Sequence, residues 1–321
     1  MKMSNLVSRV LVAIIAIPIV FFIIMEGGFI FHLFITFVST LALYEYYKMT
    51  IFKGAKPLVW IGIAFGALIQ TLFMYERIRY TLLNYLAGMG IFPYYPTQFV
   101  LLLALAAIFV FLVITIELFR NNGSAIQNIS ATLFGVFYIS LFLGMLIATR
   151  ELFEWEHFNS FFLTHSFSEL MNGNDLGFNW NSKNWGGLFI FSIFVTVWIC
   201  DSAAYFAGRA FGKRKLYVRV SPNKTWEGAI AGFIFSIVSM VVFKYLVIQF
   251  LPIAHAIVIG VIIGTVGQIG DLAQSLLKRD SGIKDSSSLI PGHGGFFDRF
   301  DSIIFISPII YLYVDLVILY I

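Results

Sequence analysis

The chain has a single cysteine, Cys200, set in an apolar run. No intramolecular disulfide can form, and cysteine usage says nothing of redox compartment. Charge is scarce too. Only 12% of residues are Asp, Glu, Lys or Arg, against about 25% in soluble domains, which excludes a soluble globular protein. There is no Ser- or Pro-rich linker, no low-complexity tract and no internal repeat. The phosphate-loop pattern G-x-x-x-x-G-K-[ST], the kinase pattern G-x-G-x-x-G and the Cys and His clusters of zinc sites are missing as well. The formal net charge of +4 is no nucleic-acid footprint, because the basic residues gather in particular loops, so no nucleic-acid partner is expected.

What remains is grease. Hydrophobic residues make up 60% of the 321, with 36 Phe and 15 Tyr. Nine apolar runs are expected to cross a hydrocarbon core of ~30 Å as helices: 10–26, 28–47, 57–75, 98–119, 127–149, 186–209, 227–250, 252–277 and 302–321. The first lacks a small-residue cleavage site and reads as a retained span. The fold expected is an all-α polytopic helical bundle in the membrane. It forms one integral domain over 1–321, with N-terminal spans through 180 and the motif-bearing spans from 186.

Lysine and arginine set the orientation. With a cytoplasmic amino terminus, sixteen of the 21 basic residues fall on the inner side, including Lys48, Lys53, Lys56, Lys213, Arg214, Lys215 and Arg219. Only Arg77, Arg79, Arg150 and Lys183 fall outside, and Lys244 lies within a span. The outer loop from Arg150 to Trp185 is acidic, with Glu151, Glu154, Glu156, Glu169 and Asp175.

Three inner-side stretches break the apolar background. In DSAAYFAGRAFGKRK, Asp201, Tyr205 and Arg209 share one helical face. An aspartate there needs a partner, a metal or water, and the plain alternative is an Asp201–Arg209 staple. In SPNKTWEG, Pro222 suits a turn or helix start, and Lys224 and Glu227 form an (i, i+3) pair. Trp226 and Lys224 could equally be headgroup anchors.

The third stretch begins at GQIGDLAQSLLKRD, where Gly264, Gly267 and Gly270 offer a narrow side for a neighbouring helix. Asp271, Ser275, Lys278 and Arg279 follow as a polar stripe, then a Ser-rich connection. The PGHGG turn comes next, its glycines able to aim amides at an anion. Asp298 and Asp301 close the segment, and helix capping is their bland explanation.

Carboxylates at 201, 271, 298 and 301 are hard oxygen donors, as magnesium prefers. That ion is held by one or two carboxylates plus substrate phosphates. The neighbouring cations would neutralise phosphate oxygens. These parts fit metal-assisted transfer of a phosphorus group.

The run Ser275-x-x-Lys278-Arg279-x4-Lys284-Asp285-x5-Pro291-x-His293-Gly294-Gly295-x-x-Asp298-Arg299-x-Asp301 resembles the signature of the phosphatidate cytidylyltransferases, or CDP-diacylglycerol synthases. The Asp201–Arg209 and Ser221–Gly228 stretches are similar to that family's other cytoplasmic motifs. The strong resemblance covers roughly the last 120 residues, and the first 180 agree only in being hydrophobic spans. The resemblance implies that CTP and phosphatidate give CDP-diacylglycerol and diphosphate, in phospholipid biosynthesis. It implies magnesium bound by Asp271 and Asp298, and leaves open a monovalent cation such as K+. Lys278, Arg279 and Arg299 would act beside those acids. Asp201, Tyr205, Arg209, Lys224, Glu227, Ser275, Lys284, Asp285, His293, Gly294, Gly295 and Asp301 would meet the substrates. The lipid substrate implies an inner-membrane, multi-pass protein with its site facing the cytoplasm. Whether it is a homodimer stays open.

The nucleophile would be a phosphate monoester, ionised at neutral pH because its second pKa is ~6. His293 is therefore expected to position or hydrogen-bond and not to accept a proton. Two other classes compete. A transporter would place its polar residues midway through the membrane and show inverted repeats. A polyprenol kinase relative would use the same phosphate chemistry. A CDP-alcohol phosphotransferase is disfavoured because its D-G-x-x-A-R run is absent. Glu45, Glu117 and Asp315 lie near or within spans without a role in this reading.

Overall fold

The computed structural model describes residues 5–91, 96–153, 185–287, 289 and 294–318. With no water in the hydrocarbon core, a spanning backbone must satisfy its own amides and carbonyls, and helices do so locally. The helices in the first part of the chain are α1 (Asn5–Glu26), α2 (Gly28–Phe52), α3 (Val59–Leu72), α4 (Tyr75–Ala87), α5 (Gln98–Phe119), α6 (Ala125–Leu152) and α7 (Trp185–Phe211), all but α4 formed by apolar runs. A two-stranded hairpin, β1 (Lys215–Tyr217) and β2 (Ser221–Thr225), precedes α8 (Trp226–Leu246), α9 (Ile253–Asp280), the single turn α10 (Phe296–Arg299) and α11 (Asp301–Ile318). Each of the nine expected runs contains a helix, although described residues such as 73–74 and 247–250 leave it and 319–321 lie outside the described residues. Among the described residues seven helices are long and apolar enough to cross a membrane, and this is a polytopic helical membrane protein.

Three details depart from expectation. The run expected at 57–75 forms a helix of only 14 residues, α3. Helix α4, with Glu76, Arg77 and Arg79 on it, was not foreseen because it is too polar for a span. Pro222 lies within strand β2 and not at a turn or helix start. That is tolerable because the hairpin has only two strands, so one side of each is an open edge. Thr225 is the true cap of α8, its hydroxyl accepting from the Gly228 amide at 3.2 Å.

The chain sorts into two compact units. The first comprises Met1–Ala13, Gly28–Ile147 and Gln274–Phe300; the second comprises Ile14–Gly27, Ala148–Ala273 and Asp301–Ile321.

In the first unit α2 packs on α3 and α6 through small residues and buried hydroxyls. Gly62 leaves room for Tyr47, whose hydroxyl donates to the Thr132 carbonyl at 2.9 Å. Ser39 donates to Ser140 at 3.1 Å, and Gln70 donates to the Ser140 carbonyl. Glu117 has a structural role. Its carboxylate accepts from Asn128 Nδ2 at 2.6 Å and pairs with Arg120, which also donates to the Lys56 carbonyl. That network ties α5 to α6 and to the segment entering α3.

In the second unit glycines let helices approach. A Cβ on Gly264 would lie 2.3 Å from Ser236 Oγ, and one on Gly270 would lie 2.4 Å from Phe305 Cβ. The expected close packing therefore holds at these two positions, toward different neighbours (α8 and α11). Gly267 has ordinary room. Arg150 is fully buried, donating from Nε to the Ile24 carbonyl at 3.0 Å and from Nη2 to the Met25 carbonyl at 3.1 Å. It thus satisfies carbonyls that the end of α1 leaves without helical partners. Gly27, at φ +66°, ends that helix; a Cβ there would overlap the guanidinium.

Candidate active site

The candidate residues of the second unit gather around the hairpin. Tyr205 and Arg209 stand one turn apart on the exposed end of α7, and Arg209 Nη1 donates to Tyr205 Oη at 3.4 Å. Asp201 is exposed one turn earlier on α7. Gly208, Gly212 and Gly228 bring α7, the hairpin and α8 together: a Cβ on Gly228 would sit 2.6 Å from the Ala204 carbonyl. Val220 is buried beneath the hairpin, while Lys213, Arg214, Lys215 and Arg219 are exposed on it. Glu227 closes the hairpin by accepting from the Arg214 amide at 3.2 Å and 3.3 Å. Lys224 reaches across to α9, where its Nζ lies 2.6 Å from Asp271 Oδ2, each side chain 30% exposed. Asp301 begins α11, its Oδ1 accepting from the Ser302 amide at 2.6 Å.

The first unit holds the rest. The last turns of α9 carry Ser275, Lys278 and Arg279, and the signature loop returns to α10. Lys278 Nζ donates to Asp298 Oδ1 at 2.6 Å, with side chains only 11% and 5% exposed. Asp298 Oδ2 accepts from the Ser286 amide at 2.9 Å, Ser286 Oγ at 3.0 Å and the Gly295 amide at 3.1 Å. Burial pushes the Asp298 carboxyl up. The Lys278 hydrogen bond and charge, with the Gly295 and Ser286 amides, outweigh it and hold the carboxyl below its ordinary value. Gly294 takes φ +83°, a backbone shape suited to glycine. Lys284, Asp285 and Arg299 are exposed, and Arg279 braces the loop by donating to the Ile283 carbonyl at 3.0 Å. Pro291, Gly292 and His293, like the acidic run 154–184, lie outside the described residues.

Sequence reasoning missed the residues that hold this loop. Glu45 on α2 accepts from Ser286 and Ser287 and from the amides of Phe296 and Phe297. Gln274 donates to the Phe297 carbonyl. The signal for Glu45 was a carboxylate standing inside an apolar run.

No metal-binding group of three or more His, Cys, Asp or Glu occurs among the described residues. A hard divalent cation held by one or two carboxylates plus substrate phosphates does not need one. Asp271, partly exposed, has the donor chemistry such a cation takes. Asp298 has it too, but its oxygens are engaged by Lys278, Ser286 and Gly295, so a cation there would have to displace one of those donors.

Apolar helices whose ends carry clusters of cationic and carboxylate side chains, on a hairpin in one unit and a glycine-bearing loop in the other, define a polytopic membrane protein with polar sites at helix ends. A family model described as "Cytidylyltransferase family" matches residues 7–317, and the chain belongs to that family. Relatives named "phosphatidate cytidylyltransferase" include one from Bacillus subtilis, 41% identical over 131 residues, or 41% of this chain and 49% of the relative. The Haemophilus influenzae protein is 48% identical over 122 residues, 36% and 42% of the respective chains. The one from Staphylococcus haemolyticus is 43% identical, over 38% and 47%. The chain thus spans about half the length of the curated relatives it matches.

Proposed function

We propose that the protein is a phosphatidate cytidylyltransferase, converting CTP and phosphatidate to CDP-diacylglycerol and diphosphate. The observation that carries this reading is the Lys278–Asp298 pair, 2.6 Å apart and nearly enclosed, inside the loop whose sequence matches the family signature. A nearly enclosed ammonium suits phosphate oxygens, and the carboxylate beside it suits the cation that would accompany them.

An oxygen of the phosphatidate phosphate attacks the α-phosphorus of CTP. The bond to the β-phosphate oxygen breaks in line, and diphosphate leaves with its electron pair. No protein base is required, since the attacking phosphate is already ionised near pH 7 given a second pKa of ~6. Electrostatic repulsion between two anions is the obstacle, and fixed cations are the remedy. Lys278, Arg279 and Arg299 neutralise phosphate oxygens as the reaction proceeds. Lys224 and Arg209 attract the nucleotide triphosphate and the lipid headgroup, with Asp201, Tyr205, Glu227, Ser275, Lys284, Asp285 and Asp301 as their polar surroundings. His293 and Gly294 would bind phosphate by hydrogen bonds, while the Gly295 amide, engaged on Asp298, shapes the turn that presents them. Magnesium, held by Asp271 and Asp298, would supply charge neutralisation at the phosphates when bound, with K+ as an optional companion.

Phosphatidate keeps its headgroup at the surface while CTP arrives from water. The reaction therefore belongs at headgroup depth on the cytoplasmic side of the inner membrane, with the amino terminus inside, in agreement with the distribution of basic residues. A membrane assay tests this: labelled CTP and phosphatidate, with and without EDTA, and with ATP in place of CTP. Chelator-sensitive formation of labelled CDP-lipid is expected. Phosphoryl transfer from ATP, or no lipid product from CTP, would refute the reading.

A further inference from the structure

We propose that Glu45 is a positioning residue that holds the signature loop and, through it, Asp298. This rests on the cytidylyltransferase reading of that loop. Glu45 sits in the membrane helix α2, its residue only 1% exposed. Such a position would ordinarily favour an apolar side chain, because a buried carboxylate is costly unless hydrogen-bonded. Here it is saturated. Oε1 accepts from Ser287 Oγ at 2.6 Å and the Phe296 amide at 3.1 Å; Oε2 accepts from Ser286 Oγ at 2.7 Å and the Phe297 amide at 2.9 Å. Four donors match the roughly four acceptor sites of a carboxylate. All four are neutral and all lie in the loop or its following turn, more than 240 residues along the chain.

The contacts bracket Asp298. Glu45 fixes the amides of the two residues before it, and Gln274 takes the Phe297 carbonyl. Ser286 joins the two acids directly. Its hydroxyl lies 2.7 Å from Glu45 Oε2 and 3.0 Å from Asp298 Oδ2, while its amide donates to Asp298. One hydroxyl proton serves one acceptor at a time, so Ser286 gives it to Glu45 or to Asp298 while its amide stays on Asp298. Gly295 is what lets the loop come this close: a Cβ there would lie 2.3 Å from Glu45 Oε2 and 2.1 Å from Ser286 Oγ. The described residues 284–287, 294 and 295 carry little apolar surface with which to hold the loop. The carboxylate of α2 supplies the anchor.

A glutamine at 45 presents an NH2 group where two donors now point. A serine hydroxyl can reverse, but a backbone amide cannot, so Phe296 or Phe297 loses its acceptor.

The test uses the full chain in detergent, comparing wild type with Glu45→Gln, Ser287→Ala and, as a control for a buried carboxylate elsewhere in the unit, Glu117→Gln. Two quantities are read: the kinetics of CDP-lipid formation, and hydrogen–deuterium exchange of the peptide covering Phe296 and Phe297. Glu45→Gln is expected to lower kcat by about 10- to 100-fold, the usual effect of losing a partner that orients a ligand residue. Both KM values should stay within about threefold, while the Phe296–Phe297 amides exchange at least about tenfold faster. Ser287→Ala shifts both readouts in the same direction by less, and Glu117→Gln leaves both within about threefold. Unchanged exchange or unchanged kcat in Glu45→Gln would overturn the proposal, as would faster exchange spread evenly over all helices. If Glu45→Gln does not fold, wild-type behaviour of Ser287→Ala overturns it. A wild-type protein that makes no CDP-lipid refutes the enzymatic reading, and the exchange arm then still decides whether Glu45 anchors the loop.

Discussion

Lys278 and Asp298 are twenty positions apart in sequence, and their side chains meet at 2.6 Å with little exposure to solvent. The aspartate also takes three donors from the loop between them. One residue is therefore the loop's internal anchor, and the proposed function gives that same residue a part in the chemistry.

Asp298→Asn should abolish turnover while the protein stays folded in detergent. Asparagine keeps the size of the side chain, and the amides of Ser286 and Gly295 can still find its carbonyl oxygen. Lys278→Ala is the harsher change structurally, because it strands a buried carboxylate. Breaking a buried pair costs about 3–5 kcal/mol, and this nearly enclosed one should sit near the lower end. Thermal unfolding followed by aggregation in detergent, alongside CDP-lipid formation, separates the two effects. A fully active Asp298→Asn enzyme would remove this residue from the chemistry.

The Lys224–Asp271 pair should behave oppositely. Its side chains are each 30% exposed, and ion pairs open to water contribute only about 0–1 kcal/mol. Asp271→Asn is expected to shift the melting temperature by no more than a few degrees. Turnover should fall by at least about a hundredfold, the scale of losing one electrostatic stabiliser. A variant that melts early and retains its activity would mark the pair as structural.

Acid should loosen the loop before it unfolds the helices. The Asp298 carboxyl is held below its ordinary value, so its stabilising contribution is complete above the unfolded value of ~3.9. That contribution is lost as pH falls through the lower, folded value. Protection of the Gly295–Asp298 amides, taken relative to their intrinsic exchange at each pH, should therefore fall below about pH 4. Asp298→Asn, which has no carboxylate to protonate, should lose that acid step. The measurement is exchange against pH for the two proteins.

Gly27→Ala should be among the more damaging small substitutions outside the loop. Alanine disfavours the φ of +66°, and its methyl would overlap the Arg150 guanidinium. A strained backbone position alone costs about 1–3 kcal/mol. Arg150→Ala in the same background relieves the overlap but also uncaps the Ile24 and Met25 carbonyls, so the double variant should stay below wild-type stability. A double variant as stable as wild type would show that the backbone conformation matters little here.

The helices were legible because a bilayer imposes length and composition on any segment that crosses it, and runs such as 98–119 declare both. The hairpin was not. Lys215–Thr225 is short, polar and held by Val220 and by glycines on α7 and α8, none of which produces a periodic signal. Asp271, Lys278 and Asp298 were visible as charges in a setting that disfavours charge. Their partners were less so: Lys224 could be read as a headgroup anchor, and Glu45 had no local context. Its four donors lie more than 240 residues away, and no pattern along α2 points to them. Glu117 went unexplained for the same reason on a smaller scale, since its role depends on how α5 meets Asn128 of α6.

The carbonyls that Arg150 caps at the end of α1 belong to Ile24 and Met25, some 125 residues upstream. While the chain is being made, the first helix must therefore enter the bilayer with that end unfinished and await its cap. At synthesis rates of about 5–20 residues per second the delay is on the order of ten seconds. An insertion machinery, or water at the interface, has to shelter those carbonyls in the meantime.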